Sequence, residues 1–387
     1  MPTPTSQAAD ALRIEVAGSI EALESHAQAW DGLAATAPQQ LPMLSHAWLA
    51  CFFEHMCPPQ SRWLCVFAYR GTQLAAVLPV VAVIRKRFGV SHCVLTTPRD
   101  DHTQIGDLLA VEHDAEAAAA VIARVRYEFS GASCLEINRF SSASPLLGWL
   151  QSGRLPGRYS VQLDSYGAFL PVPGDYAEFR RNLGKNFRSN LNKATNKVAQ
   201  LRDVRYEFDA GAQARTEDLE QLMAVEASGW KGEQGSAIRA SPRLVRFYSA
   251  LVRRLREAGW LEWQFMHGDG TVLAGNLAVR MPRSLILWKL GYNDAYSRCS
   301  PGSMLMEELL KKAVVERAPP IIDLTTDLPW YDNWGMTRRP FHTARFYFGL
   351  KGNLFFHLPD AARTALKRFP PAVALKAAWD RRRLSAK

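Results

Sequence analysis

Gly291-Tyr292-Asn293-Asp294-Ala295-Tyr296-Ser297-Arg298-Cys299-Ser300-Pro301-Gly302-Ser303 is the stretch whose reading decides how this chain folds. Three apolar segments, residues 261–266, 272–280 and 285–292, lead up to it, separated by His267-Gly268-Asp269-Gly270 and Met281-Pro282-Arg283. Turn-forming residues between short apolar runs predict an antiparallel meander. Downstream, Ser300 suits an N-cap and Pro301 the first helical position, so a helix is predicted from Pro301 to about Glu316. Residues 321–324 then read as a buried strand. A helix crossing over between two strands of one sheet makes them parallel.

That order carries chemistry. Amides in the first turn of a helix, here at Gly302 and Ser303, have no partners within the helix. Gly302 lacks the side chain that would hold a ligand away, and Arg298 offers a charge-assisted contact. A helix start of this kind suits a diphosphate. Ordinary capping is the alternative reading of the same residues.

Working outward, residues 176–200 place Phe179, Leu183, Phe187, Leu191, Ala194 and Val198 on one helical stripe. Arg180, Arg181, Lys185, Arg188 and Lys193 occupy the other positions, and Gly184 predicts a kink or break. A strand follows at 204–208, then helices at 217–228 and 244–257, the latter with Gly259 as its C-terminal cap. The first half predicts helices at 20–33 and 47–55 and a hairpin, 63–69 with 74–84, around Gly71-Thr72. A strand at 105–110, a helix at 115–129 and a strand at 134–137 complete it. A Pro/Gly-punctuated stretch, 169–175, separates the halves. The expected organisation is therefore an N-terminal domain (1–172), a C-terminal domain (173–356) and a basic amphipathic tail (357–387).

Composition bounds the possibilities. With 387 residues, 48% hydrophobic and 22% charged, the chain is long enough for two folded domains. It has no apolar run of the roughly 18 residues a membrane span needs, and residues 1–10 lack a basic segment followed by an apolar one. A cytoplasmic location is expected, with peripheral contact between the basic tail and the anionic inner membrane face. The net charge of +10 is local: residues 180–205 and 361–387 each carry eight Lys/Arg against one Asp, leaving the rest net acidic. These segments are either solvated helix faces or contacts for a phosphate-rich partner such as a cofactor, anionic lipid or RNA. Six cysteines without a C-x-x-C pair and nine scattered histidines speak against a metal site. The G-x-S-x-G, Walker A and G-x-G-x-x-G patterns are absent as well.

Phe187-Arg188-Ser189-Asn190-Leu191, Trp230-Lys231-Gly232, residues 291–297, Ser300-Pro301-Gly302 and Asp323 occur in an order that resembles the GNAT acetyltransferase superfamily. More narrowly, they resemble its CelD-type, FemAB-like branch, over residues 176–333. Met43-Leu44-Ser45-His46-Ala47-Trp48-Leu49 adds a weaker match. The resemblance implies an α/β fold of tandem GNAT-like domains, with mixed, mostly antiparallel sheets flanked by helices. It also implies acyl transfer, with acyl-CoA (acetyl-CoA) as co-substrate and no metal, to an amine or hydroxyl of a small-molecule, polysaccharide or peptide acceptor. FemAB-like relatives take aminoacyl-tRNA instead, which the basic helix would suit. A non-catalytic scaffold binding nucleic acid or anionic membrane is the reading from a different class. The family's Q/R-x-x-G-x-G/A loop is matched here only by Arg298 and Ser303, with Pro301 where that pattern has glycine.

By the family geometry, backbone amides of Leu290, Gly291 and Tyr292 would hold the pantetheine arm and polarise the thioester carbonyl, Gly291 permitting close approach. Tyr292 or Tyr296 would protonate the departing thiolate, a packing tyrosine being the plainer reading of each. Candidate bases are Glu226, Asp294, Asp323 and Asp327. Asp323 sits in an apolar run, where burial raises a carboxyl pKa unless it is paired. Lys289 interrupts a second such run; it contacts substrate or forms a buried pair with Asp323. Trp230 and Lys231 mark a substrate-facing loop, or Trp230 is a core residue.

Overall fold

The computed structural model describes residues 11–228, 235 and 237–368. Their strands join in one sheet: β1 (Leu12–Ala17), β2 (Trp63–Arg70), β3 (Gln73–Arg87), β4 (Val90–Thr96), β5 (Leu109–Ala110), β6 (Cys134–Ser141), β7 (Arg158–Pro171), β8 (Arg205–Ala210), β9 (Leu261–Gly268), β10 (Thr271–Met281), β11 (Ser284–Tyr292), β12 (Ile321–Asp323) and β13 (Thr337–Tyr347). The helices are α1 (Ile20–Glu24), α2 (Ala27–Thr36), α3 (His46–Cys51), α4 (Ala115–Glu128), α5 (Pro145–Gln151), α6 (Tyr176–Asn182), α7 (Lys185–Val198), α8 (Leu219–Ala227), α9 (Pro242–Glu257), α10 (Pro301–Glu316), α11 (Gly349–Gly352) and α12 (Leu358–Arg368).

Local chemistry explains the meander. Asp269 and Gly270 form the tight turn between β9 and β10, both left-handed (φ +50° and +74°), as a two-residue hairpin loop requires. α9 starts at Ser241, whose hydroxyl accepts the Leu244 amide, with Pro242 at its first position; left-handed Gly259 follows its end. The basic helix breaks at Leu183-Gly184, as expected, and α7 turns Leu191, Ala194 and Val198 inward.

The strand order, β1-β2-β3-β4-β6-β13-β7-β12-β11-β10-β9-β8, reads nearly the same from either end. In each half four antiparallel strands are followed by a parallel neighbour, β6 beside β4 and β12 beside β11. The middle is an exchange. β7, from the first half, pairs with β12, while β13, from the second, pairs with β6; β7 and β13 then pair along eleven registered positions. The division expected near residue 172 falls where β7 ends. The strand expected at 105–110 is shorter, Leu109–Ala110, and β1, β4, β7 and β13 were not anticipated.

A core layer joins the halves. α3 and α9 pack together, with Trp48, Phe67, Phe247, Leu251 and Trp263 fully buried in one cluster. The Met43–Leu49 motif thus builds this interface: Met43, Leu44, Trp48 and Leu49 are buried, and Ser45 caps α3 by accepting the Trp48 amide. No described helix is long and apolar enough to cross a membrane. The basic tail beyond Arg368 lies outside the described residues.

Candidate active site

β11 and β12 are bonded only at Leu285↔Ile322 and Ile286↔Asp323. Beyond these pairs they part. β11 bulges, because Leu277 faces Lys289 while Ala278 faces Leu287, leaving Trp288 unmatched. β12 gives way to Thr325, a β-branched residue at φ +56°. The wedge between them opens into a pocket of about 510 Å³ whose aromatic walls are Phe187, Trp288, Tyr292, Trp330, Tyr331 and Trp334.

Helix α10 begins at this pocket, which Ser297, Ser300, Pro301, Gly302 and Ser303 also line. Ser300 does not act as the expected cap. It is left-handed (φ +48°, ψ +52°), and its side chain makes no capping bond. Its carbonyl instead accepts the amides of Ser303 (2.9 Å) and Met304 (3.1 Å). The Ser303 amide is therefore already used and Pro301 has none. The Gly302 amide remains, with no acceptor among the described residues. A Cβ at Gly302 would meet nothing within 4 Å, so this helix start faces open space.

Leu290, Gly291 and Tyr292 also line the pocket. The reason for glycine at 291 differs from the expected one. A Cβ there would lie 3.1 Å from Glu226 Cα and 3.2 Å from its amide nitrogen, so Gly291 lets α8 sit directly on β11. This seats Glu226, 2% exposed, in the pocket wall. Its Oε2 accepts the Ile238 amide (3.0 Å), and Oε1 lies 4.0 Å from Lys289 Nζ. Lys289 also lies over the Tyr248 ring at 5.4 Å, and the Tyr248 hydroxyl is 3.0 Å from His102 Nδ1 in the first half.

Lys289 therefore lies beside Glu226, and the pair with Asp323, one of its two readings, does not form. Asp323 is 3% exposed, bonds Arg339 of β13 and accepts the Thr325 amide (2.8 Å). Burial pushes its pKa up, opposed by the Arg339 charge and the Thr325 amide. It is not part of the pocket wall. Its ion pair fastens the exchanged strand to β12.

Tyr292 is 38% exposed, and its pKa is raised first by burial and then by the charge of Asp294. Asp294 sits in the loop beside it, off the pocket wall. Arg298 is exposed and also off the wall; its carbonyl accepts Lys197 Nζ (3.0 Å). Tyr296 packs against the second-half core, and Asp327 is bound by Arg338 (2.9 Å). Trp230 and Lys231 lie outside the described residues.

Sequence reasoning missed Gln104, Asn276, Trp288 and the aromatic group Trp330, Tyr331 and Trp334, all in the wall. Three large aromatics within one five-residue span, Trp330 to Trp334, were a usable signal. Gln104 had none, since only the tertiary fold brings it here from the first half.

Residues 185–328 match the family model described as an acetyltransferase (GNAT) domain. Among solved structures, the chain is similar to FemX, with a TM-score of 0.59, 10% identity, and 86% of this chain and 97% of that one covered. It is also similar to the C-terminal domain of a putative lysylphosphatidylglycerol synthetase from Agrobacterium fabrum (TM-score 0.53, 11% identity, 88% and 96% covered). A conserved protein of unknown function from Bacteroides thetaiotaomicron gives a TM-score of 0.50 at 12% identity, with 86% and 100% covered. No curated protein matches the chain. At these identities the likeness is one of architecture: the chain has the mixed α/β GNAT-like fold in the arrangement seen in FemX.

Proposed function

We propose that this chain is an acyltransferase of the FemAB-like branch that moves an acyl group, acetyl in the simplest case, from acyl-CoA to an amine. One observation carries the reading: two parallel strands part at a bulge, beside a helix start with a free amide, and a buried carboxylate lies in the wall of the wedge. A slender thioester arm fits between apolar, aromatic walls. At the helix end a diphosphate would meet the Gly302 amide and the hydroxyls of Ser297, Ser300 and Ser303.

The chemistry follows from the residues. The acceptor nitrogen attacks the thioester carbonyl, forming the C–N bond, and collapse of the adduct breaks the C–S bond. Glu226 takes the proton that the nitrogen loses. Tyr292, whose raised pKa keeps the phenol protonated at neutral pH, supplies a proton to the thiolate. Backbone amides where β11 leaves β12 polarise the carbonyl.

The test is thermal stabilisation of the full chain by acetyl-CoA, together with release of free thiol when amines are added. Stabilisation that is lost in Gly302→Trp supports the reading. No stabilisation by any CoA ester overturns it.

A second donor, aminoacyl-tRNA, is favoured by one observation. Arg181, Lys185, Lys193 and Lys197 are exposed along α6 and α7, beside the start of α10, whereas no Lys or Arg among the described residues lines the pocket itself. Salt-sensitive binding of charged tRNA without any CoA effect would select it.

A further inference from the structure

β12 ends at Asp323, and just beyond it, where the wedge opens, Thr325 has its backbone in the left-handed region at φ +56°. A β-branched side chain crowds the backbone there, so the conformation persists only where neighbours impose it. Three neighbours do. Asp323 accepts the Thr325 amide (2.8 Å) and is itself bound by Arg339 of β13. Arg139 of β6 donates Nη2 to the Thr325 carbonyl. Gly167 of β7 comes so close that a Cβ there would lie 2.5 Å from that carbonyl oxygen and 2.9 Å from its carbon. The amide, the carbonyl and the packing of one strained residue are thus each held from a different part of the fold.

The side chain is held by none of them. Thr325 is part of the pocket wall and 0% exposed, yet its Oγ1 has no hydrogen-bond partner among the described residues. The next residue supplies a contrast. The Thr326 hydroxyl donates to the Leu324 carbonyl (3.2 Å) and lies 2.8 Å from the Tyr331 hydroxyl. A buried hydroxyl left without a partner is costly. Glycine would meet the backbone demand at this position without strain, so what threonine adds is the side chain.

We propose that the Thr325 hydroxyl donates a hydrogen bond to the thioester carbonyl oxygen, which makes Thr325 a catalytic residue; the assignment rests on the acyl-transfer reading. Thr325 stands on the β12 side of the wedge, and the β11 amides stand on the other. When the acceptor nitrogen bonds to the carbonyl carbon, the C=O π electrons move onto oxygen, and the hydroxyl and the amides share that charge. When the carbonyl re-forms and the C–S bond breaks, the electron pair leaves on sulfur, which takes the Tyr292 proton. Thr325 keeps its own proton throughout. A donor fixed in advance and shielded from water stabilises such charge best, and a clamped backbone supplies that fixity.

The experiment compares the full chain with Thr325→Val, which keeps the branched shape and removes the hydroxyl, and with Thr325→Ser, which keeps the hydroxyl. In thiol release from acetyl-CoA with added amines, Thr325→Val should lower kcat about 10²–10³-fold, the effect of losing one such donor. Its stabilisation by acetyl-CoA should be retained, and its own melting temperature should be level or raised, because the lost hydroxyl had no partner to lose. A second readout needs no acceptor: infrared spectra of bound acetyl-CoA isotopically labelled at its carbonyl carbon. The carbonyl stretch should fall below that of free acetyl-CoA in the unmodified chain and in Thr325→Ser, and return toward the free position in Thr325→Val. A band unmoved by Thr325→Val, an equal loss in both variants, a lowered melting temperature in Thr325→Val, or an effect confined to the KM of the amine would overturn the proposal and leave acyl transfer standing. No stabilisation of the unmodified chain by any CoA ester would overturn both.

Discussion

The two halves place the same elements in the same order, yet only one leaves its wedge open. In the first half, β4 and β6 pair at three positions and the chain then closes over the gap. The Thr97 amide bonds the Glu136 carbonyl, the Gly106 amide bonds the Asn138 carbonyl, and Thr97 Oγ1 accepts the Asn138 amide. The following helix, α4, is sealed as well: Asp114 accepts the Ala117 amide (3.0 Å) and two bonds from Arg70. In the second half, β11 and β12 pair at two positions, the loop from Asn293 to Ser300 leaves the gap uncovered, and α10 starts without a side-chain cap. One architecture thus gives a closed scaffold or a ligand site according to what its loop does. The anion-accepting property of a helix start survives only where no carboxylate of the protein already occupies it.

The strongest test of this asymmetry is Glu226→Gln. In the open half it should lower kcat by roughly 10²–10⁴-fold, as loss of a general base does, with acetyl-CoA binding retained. A variant that turns over normally would remove the carboxylate from the mechanism. Next in size, Leu251→Ala in α9, fully buried in the shared core, should cost about 2–5 kcal/mol, read by urea denaturation. Because that core belongs to both halves, the transition should stay single; two separate transitions would mean that the halves are independent.

The closed loop makes a pH prediction. Burial raises the Asp107 pKa to about 7 from an ordinary 3.8, although Gln39, Ser144 and the Leu108 amide all donate to it. Between these values the unfolded carboxyl has lost its proton while the folded one keeps it. Stability therefore declines as pH rises from 4 to 7 and is level above that. Asp107→Asn lacks this slope, so its melting temperature should gain on the unmodified chain over that window, by at most about 4 kcal/mol equivalent. A pH-independent difference would show that Asp107 does not titrate this way. Smallest, Asp114→Ala should cost about 1–2 kcal/mol by uncapping α4, while leaving acetyl-CoA stabilisation unchanged. A loss of that stabilisation would mean that the closed half takes part in donor binding.

What was legible in the sequence were the elements whose signals are local. The meander from residue 261 to 292, the crossover helix and the parallel strand after it follow from turn residues and apolar runs. The central strands were not legible. β13 begins Thr337-Arg338-Arg339-Pro340, and a proline among arginines reads as loop; it becomes a strand only because β6 and β7 flank it. β7 alternates weakly and pairs with residues some 180 positions away, which no local pattern reports. Of the residues singled out in the sequence, Gly291, Gly302, Tyr292 and Glu226 line the pocket, the first three because they flank the loop that enters the crossover helix. The Lys289–Asp323 pair offered as one alternative does not form, for the same reason that β13 was missed. Arg339 reaches Asp323 from a strand not foreseen, and α8 brings Glu226 to Lys289 first.

The exchange of β7 and β13 makes the molecule indivisible in a way its repeated plan conceals. Cutting the chain between residues 172 and 175 would give two fragments, each keeping a strand that belongs in the other's sheet and lacking one that its own requires. Neither piece would form a finished sheet by itself, whereas the pair, mixed, would each supply the other's missing strand. Holding both halves in one chain thus replaces the dependence on concentration that two separate pieces would have with a covalent linkage.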